Sequence, residues 1–199
     1  MLNIRSAVGF LCAATIICSC NNKPAEKTTE TAKTFTSKNT DSFNTAFNSM
    51  LINYDSLRNA FIDWDTAAAD NYAAVLQSSL ISVPYEQLKD EANATKANSI
   101  AQNAADGLQN LIGVDSINDK RRIFYTVSES VYNLIKTTGY DKAIIYHKKC
   151  PMAFNDSQEG WWFSETTTID NPYFGKYHPK YKNAMLECGS VEDSINNMQ

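Results

Sequence analysis

Residues 43–61 read FNTAFNSMLINYDSLRNAF, and in them Phe43, Phe47, Leu51, Tyr54, Leu57 and Phe61 recur at intervals of four, four, three, three and four. Side chains three and four positions apart lie one above another on a helix, so the six residues form one continuous apolar face. A strand would require alternation by two, which the stretch lacks. An amphipathic helix of this kind must bury its face against a neighbour, and the following sequence supplies three. Thr66 predicts the cap of a second helix that turns Ala67, Tyr72, Leu76 and Leu80 inward and ends where Pro84 forces Val83 out of helical geometry. A third is expected over about 85–112, with Leu88, Ala92, Ile100, Ala104, Leu108 and Leu111 inward and Gly113 as its C-cap. Ser116 with Asp119 three residues on is an acidic variant of the capping box, opening a fourth helix that carries Phe124, Val127, Val131, Leu134 and Ile135 as far as Gly139. Four helices joined by short turns predict a mainly α fold, an antiparallel four-helix bundle over residues 41–139.

Bundles of this type house metals on inward His and Glu side chains, but these helices contain no histidine and no Glu-x-x-His pair. Asp63, Asp65, Asp70, Asp90, Glu86 and Glu91 read as solvated helix ends and faces, not as an acid/base pair. Chemistry is expected further on, in residues 140–199, where the texture changes to a small annex of β-hairpin and turns. KAIIYHKKCPMA at 142–153 reads as extended chain, which puts Cys150 and Met152 on one face. The polar run 155–160 is a turn, and Trp161, Trp162 and Phe163 form the returning strand. Residues 184–189, AMLECG, place Met185 and Cys188 three apart, on one side if that piece is helical.

The N-terminus sets the compartment. Met1 to Arg5 carries one positive charge, and residues 7–17 are an apolar run far short of the roughly 20 needed to cross a bilayer. It is the pattern of a secretory signal over 1–19. Ile17-Cys18-Ser19-Cys20 resembles a bacterial lipobox, which implies lipidation of Cys20 and attachment to a membrane, expected to be the outer membrane facing the periplasm. Residues 20–40, rich in Thr, Lys, Asn and Glu, read as the lipidated cysteine and a disordered tether.

Cleavage at Cys20 removes Arg5 from the 18 basic residues and leaves the 22 acidic ones, a net charge of about −5. With no basic stripe, nucleic acid is excluded as a partner. Cys12 and Cys18 leave with the signal and Cys20 takes lipid, so Cys150 and Cys188 are the remaining thiols. In an oxidising compartment such a pair can close a disulfide worth about 4 kcal/mol in the chain-entropy account. Together with Met152 and Met185 it can equally form a soft sulfur site, the ligand chemistry that selects Cu(I). His147, three before Cys150, and His178 allow a His-and-Cys set for Zn(II) to be drawn, although Zn(II) makes little use of the thioethers.

CPMAF at 150–154, GWWFS at 160–164, NPYFG at 171–175 and MLECG at 185–189 followed by Val191 resemble the C-terminal part of a family of domains of unknown function. Those domains occur in Gram-negative lipoproteins and as appendages on periplasmic adaptor subunits of heavy-metal efflux pumps. The resemblance implies periplasmic binding of copper or silver, with Cys150, Met152, Met185 and Cys188 as ligands and efflux components as partners. Residues 176–183 are an insertion relative to that pattern.

No enzyme is expected: Cys150 and Cys188 form no C-x-x-C pair, G-x-S-x-G is absent, and seven glycines leave no phosphate-cradling loop. The sequence therefore offers a lipid-anchored soft-metal binder or, as the alternative, an envelope interaction module braced by a Cys150 to Cys188 disulfide. A site for a small organic ligand between helices and annex is a third reading.

Overall fold

The computed structural model describes residues 36–198. The signal expected at 1–19, the expected lipidation site Cys20 and most of the expected tether lie outside the described residues. Four helices come first: α1 Asp41–Ile62, α2 Thr66–Ser82, α3 Glu91–Ile112 and α4 Ile117–Thr138. Three strands follow, β1 Ile145–Phe154, β2 Gln158–Ser164 and β3 Ser190–Ile195, in one antiparallel sheet of order β2-β1-β3. The described chain is mainly helical, with a minor sheet. None of its helices is long and apolar enough to cross a membrane.

All six stripe residues of α1 are buried, and Met50 joins them. α1 packs on α2, α2 on α3 and α3 on α4. In α2 the inward face is Ala69, Ala73, Leu76 and Leu80, whereas Ala67 and Tyr72 face solvent. The cap is Asp65, not Thr66: its carboxylate accepts from Ala68 N at 2.9 Å, so the helix starts one residue earlier than expected. The expected third helix is broken. Tyr85–Gln87 is a single 3-10 turn, Leu88 is extended, and α3 starts only after Asp90, whose carboxylate accepts from Asn93 N at 2.7 Å. Its buried stripe is Ala97, Ala101, Ala104 and Leu108, so Ala92 is exposed and the helix approaches its neighbours closely through small side chains. α4 follows expectation. Ser116 Oγ accepts from Asp119 N at 3.4 Å, and Gly139 ends the helix at φ 62°.

The last residues assigned to the tether are part of the fold. Asp141, fully buried, accepts from Ser37 Oγ at 2.6 Å and from Lys38 N at 2.7 Å, and Thr40 caps α1. The hairpin turns at Asn155 and Asp156, both at positive φ, and β2 begins at Gln158, earlier than the aromatic run. β3 was not expected. Its sequence, SVEDSI, is almost wholly exposed, and only pairing with β1 reveals it as a strand.

Sheet and helices share one core. Phe163 stacks on Tyr54 of α1 with ring centroids 3.9 Å apart, and Tyr54 Oη bonds Ser128 of α4 at 2.9 Å. The opposite face of the sheet, with Trp162 fully buried, is covered by the segment between β2 and β3, hereafter the strap.

Candidate functional site

The strap is placed by side chains that grip backbone. Asn171, with no exposure, accepts from Tyr173 N at 2.8 Å and Phe174 N at 3.1 Å through Oδ1, and its Nδ2 donates to Cys188 O at 2.6 Å. Asn171 N donates to Leu186 O at 2.8 Å. One asparagine therefore ties both ends of the strap together and fixes the backbone of Cys188. Gly189 completes the approach. It sits at φ 145°, and a Cβ there would lie 2.8 Å from both Lys149 O and the Trp162 ring, so only glycine lets the chain lie this close to β1.

The result is a thiol pair. Cys150 Sγ and Cys188 Sγ are 2.8 Å apart, both as free thiols, joining residues 38 positions apart. Cys150 is fully buried and Cys188 partly exposed. Burial, reinforced by the Cys150 thiol beside it, pushes the Cys188 pKa up to about 12. The Cys188 sulfur is thus not a ready nucleophile at neutral pH, and a soft ion that binds it must displace its proton. Met152 and Met185 are both half-buried against the core, one two residues beyond Cys150 and the other three before Cys188. Met185 O also accepts from Cys188 N at 3.1 Å, so this piece is a turn and not a helix.

His147 is not part of the pair. Strand alternation puts it on the face opposite Cys150. There its Nε2 meets Glu129 Oε1 at 2.7 Å, its ring stacks on Tyr132 at 3.8 Å, and Trp161 packs beside it at 4.5 Å. His178 is equally committed: its Nδ1 accepts from Lys180 N and Tyr181 N, both at 3.2 Å, within the strap. Among the described residues no group of three or more His, Cys, Asp or Glu side chains is arranged to hold a metal ion. A conventional four-ligand Zn(II) site is therefore not assembled.

Three cations, each only 1% exposed, escaped the sequence reading. Lys120 bonds Asp70 at 2.5 Å and Leu111 O at 2.9 Å, giving Asp70 a structural partner where only a solvated carboxylate was expected. Lys148 donates to Ser164 Oγ at 2.5 Å and Thr168 O at 2.6 Å, and burial, with Arg58 nearby, lowers its pKa to about 8. Arg121 lies between α4 and the strap, with Nε on Pro172 O at 2.9 Å and Nη2 on Phe61 O at 2.8 Å. Each sits at a helical or strand position where charge ordinarily faces water, so the sequence carried no signal for its burial.

Residues 50–143 match the family DUF3347, described as a protein of unknown function. The match runs from α1 to just before β1, slightly less than half of the chain, and is consistent with a family of domains of unknown function. The sulfur-bearing strand and strap lie beyond it. No curated protein and no solved structure matches the chain.

Proposed function

We propose that the protein is a membrane-tethered binder of soft metal ions, Cu(I) or Ag(I), in the cell envelope, taking the ion between Cys150 and Cys188 and passing it to or buffering it for an efflux system. The observation that carries this reading is the contact of two free thiols whose backbone positions are fixed without any bond between them. Asn171 and Gly189 hold Cys188 against β1, so the pair is organised before a ligand arrives. Two thiolates satisfy a soft monovalent ion, and Met152 and Met185 are the nearest thioethers in sequence to complete its shell. Zn(II) fits poorly, because His147 is engaged by Glu129 on the other face. In this reading the four helices form an antiparallel bundle, supported by their pairwise packing in chain order, and a lipid on Cys20 presents the bundle to the periplasm.

The alternative, a disulfide-braced interaction module without metal, is favoured by the separation itself. A disulfide needs the sulfurs at about 2.05 Å, whereas two sulfurs sharing one metal at about 2.3 Å each stand well over 3 Å apart. At 2.8 Å the sulfurs stand closer to the disulfide separation than to the metal-bridged one.

The test is to purify the chain anaerobically, count free thiols, and titrate with Cu(I) and Zn(II) against chelators of known affinity. Tight one-to-one Cu(I) binding, lost in Cys150→Ser and weakened in Met152→Leu and Met185→Leu, is the expected result. A stable disulfide with no metal bound after reduction overturns the metal reading in favour of the brace.

A further inference from the structure

Arg121 is 1% exposed, and among the described residues it makes no ion pair with a carboxylate. Its guanidinium lies over the Trp64 ring at 3.9 Å, and two of its nitrogens donate to the main-chain carbonyls of Phe61 and Pro172. The third, Nη1, is buried and has no hydrogen-bond partner. A cation in this state is costly unless something anionic completes its shell. Burial lowers its pKa to about 9, which still leaves it charged at neutral pH.

Arg121 lines a cavity of about 240 Å³ between the start of α4, the hairpin turn and the strap. Its polar wall is cationic. Arg122 and Lys180 border it, and Asn118 adds the first turn of α4, where the helix end carries partial positive charge. Asp156 is the one carboxylate on the wall, and it is paired with Lys180 at 2.8 Å, so the lining keeps an excess of positive charge in a chain whose formal net charge is −4. His178 also lines the space, its Nδ1 accepting two backbone N–H groups, and burial together with Arg121 lowers its pKa. The remaining wall is aromatic, formed by Tyr173, Phe174 and Tyr181.

We infer that this cavity binds a small organic anion, its carboxylate or phosphate group held by the rim cations Arg122 and Lys180 in the field of Arg121 and its apolar body lying among the strap aromatics. A nearly buried guanidinium on the lining, a cationic rim and an aromatic wall meet at one space of the size of such a molecule. The site is separate from the thiol pair and does not rest on the metal reading. It gives the insertion at 176–183 a purpose, because His178, Lys180 and Tyr181 all come from it.

The test uses benzoate, inorganic phosphate and the neutral isostere benzamide, followed through the Arg121 side-chain N–H resonance and by calorimetry on the purified chain. Benzoate is expected to bind with millimolar or better affinity, phosphate to compete with it or bind alone according to the head group preferred, and benzamide to leave the resonance unmoved. Arg122→Gln and Lys180→Gln, at the exposed rim, should each weaken binding about two- to fivefold. Arg121→Met should weaken it at least about tenfold. Because Arg121→Met also removes two bonds that hold the fold, the rim variants carry the decision, with thermal melts confirming that they fold. Failure of both anions to bind, equal binding of benzamide, or unchanged affinity in both rim variants overturns the inference.

Discussion

The helices over 41–138 and the sheet with its strap over 145–195 are held by different means. In the helical region one apolar stripe per helix does most of the work, with a few long-range polar ties between helices, Lys120 to Asp70, Tyr54 to Ser128 and Arg121 to Phe61. In the C-terminal region the decisive contacts are single polar side chains that reach the strap and sheet backbone: Asn171 to Cys188, Arg121 to Pro172, Tyr54 to Phe163 N. A region built from a repeated pattern loses a little with each substitution. A region built from individual clamps loses much when one is removed and little elsewhere.

The contrast can be broken at the place where the two regions meet. Phe124 of α4 touches Tyr54, Phe61 and Tyr173, and is fully buried. Phe124→Ala should cost about 3–5 kcal/mol, and helix signal by far-UV circular dichroism and tryptophan fluorescence should be lost together; separate transitions would show that the regions are not one cooperative unit. Asn171→Ala sharpens the contrast from the other side. With three hydrogen bonds at about 1 kcal/mol each, the expected loss is about 3 kcal/mol, seen first as increased exposure of Trp162 and faster alkylation of Cys188 while helix content persists. Full retention of Cys188 protection would mean that the strap does not hang on this clamp.

Gly189→Ala should cost about 2 kcal/mol through its positive φ and the clash with Lys149 O, and it should slow air oxidation of the Cys150 to Cys188 pair. A variant that oxidises at the parent rate would remove Gly189 from the account of how the thiols meet. The smallest effect expected is alkaline. Tyr85 meets Phe43 edge-on with its hydroxyl donating to Leu80 O, and burial raises its pKa above the ordinary 10.0. Above pH 10 the unfolded chain loses the phenolic proton that the folded chain retains, so stability is flat below that pH and declines above it. Tyr85→Phe should flatten that decline in thermal melts taken at increasing pH.

What the sequence made legible follows from the same contrast. Helical period is a local property, so α1 and α4, including the Ser116 cap and the Gly139 stop, can be read from residues alone. The break at Leu88 is not, because Leu88 itself is a good helix former and the competing signal is a single Asp90 cap. Strand β3 is illegible for a different reason: an edge strand with one buried residue carries no alternation. At the candidate site, the convergence of Cys150 and Cys188 was readable as a pair of leftover thiols. The separation of His147 from Cys150 follows from strand alternation over three positions and was open to a local reading. The burial of Arg121 depends on carbonyls contributed by α1 and the strap, which no short window encodes.

The clasp of Ser37 and Lys38 on Asp141 has a mechanical consequence. Asp141 follows directly on α4 and precedes β1, so tension applied to the chain ahead of Thr36 is delivered at the seam between helices and sheet. The first turn of α1 lies behind that clasp and is shielded from being unzipped. Two short hydrogen bonds on one buried carboxylate would thus act as a strain relief under any such load.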